Sequence, residues 1–154
     1  MDPSYQRLFP GHFFIDAVLE AADTKAEMSR RITLQYLQRA AMAGILIGLF
    51  YVAYFTVLSV FDSIDSLGEG GYGLGKAVGA FVFGCALVFI YYTKSELLTS
   101  NMMVSSIAVY HRKMGQLRGL MLLGLCFLGN ALGGLLLAVF ARYSTLTAGH
   151  VEEE

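Results

Sequence analysis

The sequence predicts an all-α membrane protein: an N-terminal amphipathic surface helix followed by three transmembrane helices, the second of them broken mid-membrane. Three observations predict it. The chain is 56% hydrophobic and only 15% charged, with a mean hydropathy of +0.58, too apolar for an ordinary soluble domain. Two uncharged runs, Ala40–Phe61 and Gly119–Ala141, hold 22 and 23 residues, enough to cross a hydrocarbon core about 30 Å thick at about 1.5 Å per residue. Between them lies a largely apolar run of 34 residues, Ala77–Tyr110, with the polar stretch Lys94–Asn101 inside it. That run is too long for one span and divides into two half-segments. Polar backbone at membrane depth is tolerated only where protein or a water-filled cavity surrounds it, so the interruption points to a permeation site.

Composition also excludes several classes. The net charge of −1 supplies no basic field for nucleic acid. No metal-ligand spacing and no Cys-x-x-Cys pair occurs, so neither a metal nor another cofactor is expected. No nucleophile and base stand at recognisable spacing, and the chain does not read as an enzyme. Cys85 and Cys126 both fall in predicted spans, where a free thiol acts as a small apolar residue. The first 39 residues carry acids and bases throughout and lack the apolar core and cleavage site of a signal peptide.

Taken in order, residues 1–39 form an N-terminal segment. From Gly11 to Ser29, Phe14, Ile15, Val18, Leu19, Ala22 and Ala26 recur at helical spacing, with Asp16, Glu20, Asp23 and Glu27 elsewhere around the helix. Pro10 and Gly11 mark its start, and Arg30 and Arg31 at its end suit the helix dipole and lipid headgroups. Residues 40–141 form the three-span unit. Ala40–Phe61 is the first span, with Gly44 and Gly48 four apart as a close-packing pair. Asp62–Lys76, with three acids and five glycines, reads as a loop outside the bilayer. Ala77–Thr93 and Met102–Tyr110 are the two halves of the second span, followed by a basic turn at His111–Arg118. Gly119–Ala141 is the third span, carrying Asn130 near its middle between Gly129 and Gly133. Residues 142–154 make a polar outer tail.

Basic residues set the orientation. Arg7, Lys25, Arg30, Arg31 and Arg39 precede the first span and three more lie in the 111–118 turn, against Lys76 alone in the intervening loop. The N-terminus is therefore expected on the cytoplasmic side of a plasma membrane and the C-terminus outside.

Glu96-Leu97-Leu98-Thr99-Ser100-Asn101, preceded by Phe83 and Leu87 and followed by Gly129-Asn130-Ala131-Leu132-Gly133, resembles the formate/nitrite transporter family, and the resemblance runs over nearly the whole chain. It implies a homopentamer in the bilayer, each protomer of aquaporin-like fold enclosing a pore for small monovalent anions such as formate, nitrite or hydrosulfide. It implies too that this chain corresponds to the first of two inverted three-span repeats. The second repeat carries a Glu-His-Ser pattern whose His is a proposed proton donor, and His12, His111 and His150 lie in no matching motif. Phe83 and Leu87 match the hydrophobic constriction. Leu97, Leu98 and Thr99 match the loop that narrows the pore. Leu98 stands where formate channels usually have Phe, and Lys94 where Gly is expected.

Several of these residues also carry plainer readings. Phe83 and Leu87, four apart, are by themselves helix-packing residues. Glu96 is expected to tie down the break as an acceptor, with Lys94 as a candidate partner, and Asn130 to bond a neighbouring helix or the break. Asn101 belongs to the same polar cluster. At the break, the N-terminus of the second half-segment and the Thr99 hydroxyl can face an anion, and the aliphatic side chains can dry its path. The alternative is a membrane subunit that does not transport alone and needs a complementary repeat.

Overall fold

A computed structural model describes residues 11–64 and 68–143, apart from the side chain of Glu69. Expectations for Arg7, Pro10, Asp65, His150 and the tail from 144 onward lie outside the described residues. Among the described residues five helices follow one another: α1 (Gly11–Arg31), α2 (Thr33–Asp62), α3 (Glu69–Tyr92), α4 (Leu98–Tyr110) and α5 (Gln116–Tyr143). Three are long and apolar enough to cross a membrane, over Thr33–Asp62, Gly70–Tyr92 and Gln116–Tyr143. The 13 residues of α4 rise only about 20 Å, too little to span.

Glycines set how the long helices meet. On the α2–α5 contact, a Cβ at Gly44 would collide with the Asn130 carbonyl, one at Gly133 with the Ala41 carbonyl and one at Gly129 with Ala40. Gly48 faces the end of the Leu137 side chain. Two backbones can approach this closely only where side chains are absent, the small-residue packing expected of a membrane helix pair. Ala40 lies opposite Gly129 and Gly48 opposite Leu137, so α2 and α5 run parallel. Helix α3 runs antiparallel to α2, with Gly75 against Leu58 and Phe61, and Gly79 against Tyr54.

The glycine-rich stretch before Lys76 corrects the sequence reading. It is helical from Glu69, eight residues before the expected start, and the expected loop is shortened accordingly. Gly71, Gly75 and Gly79 are spaced four apart and all buried, and Gly75 and Gly79 lie on the face of α3 that meets α2. A Cβ at Gly75 or Gly79 would stand 2.8 Å from Phe61 or Tyr54. Gly75 and Gly79 are packing residues, whereas Gly68, at φ 50°, makes the turn before the helix and Gly70 and Gly73 face open space. Two further boundaries move: α2 starts at Thr33 rather than Ala40, and α4 at Leu98 rather than Met102.

Helix α1 lies against α4, α2 and α5 through Val18, Ala22 and Ala26. These residues join Tyr36, Ala40, Val104, Ala108, Met114, Leu122 and Cys126 in one small-residue core. Phe13 and Phe14 point away from it, exposed. Outside this core the chain is apolar outward: Leu49, Val52 and Phe55 on α2 and Leu132, Leu135 and Phe140 on α5 are all exposed. Only 6% of the most apolar window of α2 is buried within the chain. Leaving a large apolar side chain in water forfeits about 1.5–3 kcal/mol, so this surface belongs in an apolar phase. The chain is a membrane protein.

Candidate functional site

The polar stretch becomes the junction between α3 and α4. Helix α3 stops at Thr93 with Lys94 in the left-handed region, at φ 54°. The Lys94 N–H donates to the Tyr91 carbonyl at 3.2 Å and the Ser95 N–H to the Ile90 carbonyl at 3.1 Å. This is a Schellman stop, and its left-handed corner is the position that favours glycine, which accounts for the glycine expected at 94. Helix α4 ends alike, with Arg112 at φ 58° and Lys113 N–H on the Ala108 carbonyl.

Beyond the corner the chain is extended. Leu97, at φ −90° and ψ 137°, begins α4 without a side-chain cap of its own. The cap comes from another helix. Asn130 Oδ1 on α5 accepts from the Leu98 N–H at 3.1 Å, while its Nδ2 donates to the carbonyls of Glu96 and Ala40, both at 2.9 Å. One amide thus satisfies groups on both sides of the α4 start and on α2. Asn101, fully buried, donates to Tyr36 Oη and to Cys126 Sγ, each at 3.1 Å. Cys126 Sγ in turn donates to the Glu96 carbonyl at 3.3 Å. Both cysteines are free thiols.

Glu96 is 4% exposed. A buried carboxylate needs a charged partner, because desolvation of an isolated ion costs several kcal/mol. The partner is Lys25 of α1, which forms an ion pair and hydrogen bond with Oε2. Arg39 Nη2 stands 3.8 Å from Oε1. Arg39 also donates through Nε to the Lys94 carbonyl at 2.7 Å and through Nη2 to the same oxygen, while the Glu96 N–H donates to the Arg39 carbonyl at 3.1 Å. Glu96 thus pairs with Lys25 and approaches Arg39 rather than Lys94. The left-handed corner turns Lys94 outward, and its ammonium lies over the Tyr91 ring, 4.7 Å from the centroid.

These groups wall a cleft of about 670 Å³ between α1 and the junction. Lys25, Arg39 and Lys94 put three cations on it against the two carboxylates of Glu20 and Glu96, with Leu87 and Leu97 on its apolar wall. The sequence-derived residues are therefore divided. Leu87, Lys94, Glu96 and Leu97 meet at the cleft, whereas Phe83, Leu98 and Thr99 are not among its lining. Phe83 packs against Tyr51 of α2, ring centroids 4.7 Å apart. Leu98 leans on the small-residue core, and Thr99 is exposed in the first turn of α4. Asn101 and Asn130 hold the junction from behind.

Lys25, Arg39, Tyr36 and Cys126 enter the site without having been singled out from sequence. For Lys25 a signal existed. It lies seven residues after Val18 and three after Ala22, on the apolar stripe of α1, where a lone cation needs a partner. Among the described residues no group of three or more His, Cys, Asp or Glu is arranged to hold a metal.

A family model described as formate/nitrite transporter matches residues 12–154. No match appears among curated proteins or among solved structures.

Proposed function

The chain belongs to the formate/nitrite transporter family, and from that premise we propose that it conducts small monovalent anions such as formate, nitrite or hydrosulfide across a plasma membrane, along a path that passes the α3–α4 junction. The observation that carries this reading is the junction itself. It stands beside Asn130, near the middle of α5, with three cations and two leucines on the adjoining cleft. A small anion entering hydrocarbon loses its hydration, and fixed dipoles and charges must replace it. With Lys25 paired to Glu96, the cleft keeps a net positive charge from Arg39 and Lys94 against Glu20, and this draws the anion in. The first turn of α4 and the Thr99 hydroxyl offer it donors, the helix end contributing about 0.3–1 kcal/mol. Phe83, Leu87, Leu97 and Leu98 line the narrow, dry part of the path, and the break lies at membrane depth in an aquaporin-like protomer. Glu96, held by Lys25, keeps the break in place.

A second reading follows from one observation. Leu87 is 58% exposed and Thr99 is also on the outer surface, so a path along them closes only against another surface. A complementary repeat or a neighbouring copy, as in a homopentamer, supplies it. A subunit acting through such a partner shows no flux by itself.

Flux of formate and nitrite into proteoliposomes, followed by swelling or an enclosed pH-sensitive dye, tests both. Under the first reading Thr99→Ala slows passage with assembly intact, and Phe83→Ala broadens selectivity. Unchanged flux and selectivity in both variants would remove these residues from the path. Flux that appears only with a partner would decide for the second reading.

A further inference from the structure

We propose that the surface between the end of α1 and the start of α5 binds one anionic phospholipid, with its phosphate on Arg30 and Arg118 and an acyl chain along Leu117, Met121 and Leu125. This site is independent of anion conduction and requires only that the chain is embedded in a bilayer.

Two adjoining cavities carry the inference. One, of about 310 Å³, is polar and bounded by Asp23, Glu27, Arg30, Arg31 and Arg118. The other, of about 580 Å³, is lined chiefly by Leu117, Met121 and Leu125, with Ser29 and Gly115 at its edge. Arg30 and Arg118 belong to both, so the two cavities form one groove with a cationic end and an apolar end.

The charges at the polar end do not cancel. Arg31 is taken up by Glu27, Nε to Oε1 at 2.9 Å. That leaves Arg30 and Arg118 facing the single carboxylate of Asp23. The hydroxyl of Ser29 is committed to the Ala26 carbonyl at 2.9 Å, so headgroup recognition falls to the two guanidinium groups. Their planar forks suit phosphate oxygens.

The apolar end identifies the occupant. Leu117 and Met121, one turn apart, are 67% and 61% exposed, on a helix long and apolar enough to cross the membrane. A free phosphate would satisfy the arginines and leave this wall bare. A ligand bearing a phosphate and a long alkyl chain satisfies both, and a bilayer presents it at a helix end.

Native mass spectrometry of the full chain released from detergent, titrated with dioleoyl phosphatidylglycerol or dioleoyl phosphatidylcholine, tests the site. The expected result is one tightly held phosphatidylglycerol per chain, preferred about tenfold over phosphatidylcholine. Arg30→Gln with Arg118→Gln should abolish the preference, and Leu117→Ser with Met121→Ser should weaken both lipids. Arg142→Gln, at the opposite end of α5, should change neither. Both arginines are exposed, so unchanged helical circular dichroism is expected and marks the loss as one of binding. The proposal is overturned by equal binding of the two lipids to the wild-type chain. Loss of preference in Arg142→Gln to the same degree overturns it too, as does displacement of the lipid by millimolar glycerol phosphate.

Discussion

Lys25 on α1 and Glu96 in the α3–α4 junction, 71 residues apart, form an ion pair whose carboxylate is buried. The pair joins the amphipathic helix to the polar α3–α4 junction. Removing either partner of a buried pair leaves an uncompensated charge, at about 3–5 kcal/mol. Lys25→Met and Glu96→Gln are therefore each expected to destabilise strongly in a detergent-unfolding titration. The double variant should be less unstable than the sum, with a coupling of about 1–3 kcal/mol. Additive losses would show that the two side chains do not interact.

Asn130 caps α4 from α5 and also holds the Glu96 and Ala40 carbonyls. Asn130→Ala leaves the Leu98 N–H without its acceptor and takes one donor each from the Glu96 carbonyl, which keeps the Cys126 thiol, and the Ala40 carbonyl, and is expected to cost about 1–3 kcal/mol. Asn130→Asp retains the acceptor for Leu98 and loses both donor bonds. Hydrogen exchange at the Leu98 amide separates the two: fast in the alanine variant, still protected in the aspartate variant.

Two neighbouring glycines of α5 should behave in opposite ways. A Cβ at Gly133 runs into the Ala41 backbone, whereas one at Gly134 meets nothing within 4 Å. Gly133→Ala is expected to lose about 2 kcal/mol or more by prising α2 from α5. Gly134→Ala should be neutral or gain up to about 1 kcal/mol of helix propensity. Thermal unfolding in micelles, run side by side, reads the contrast.

Lys94 adopts φ 54° at the stop of α3. A residue with a Cβ is strained there by about 1 kcal/mol, and glycine is not. Lys94→Gly should raise stability by about 0.5–1 kcal/mol, less whatever its ring contact with Tyr91 contributes. If Lys94 also draws anions to the cleft, the same variant should conduct more slowly, so stability and flux would move in opposite directions.

What was legible in the sequence follows from its physics. The spans appear as uninterrupted uncharged runs, and the junction as two charges and a cluster of amides and hydroxyls where apolar residues should continue. Gly44, Gly48, Gly129 and Gly133 were readable because their spacing of four lies inside apolar runs. Gly71, Gly75 and Gly79 share that spacing, but acids and further glycines around them imitate a turn. The Lys25–Glu96 pair was not legible, because it joins segments far apart in sequence and local periodicity carries no such information. Lys94, two residues from Glu96, was the nearer cation, and only the left-handed corner shows why it turns away.

The central claim is that anions pass the α3–α4 junction, and its most direct test is formate flux in proteoliposomes carrying the Leu97→Trp variant. Leu97 stands on the cleft wall, where an indole would obstruct the path. Leu128→Trp, on the exposed surface of α5, serves as the control. The expected result is flux in the wild-type chain and in Leu128→Trp, with a severalfold loss in Leu97→Trp at equal protein incorporation. Equal flux in all three would contradict a path past the junction.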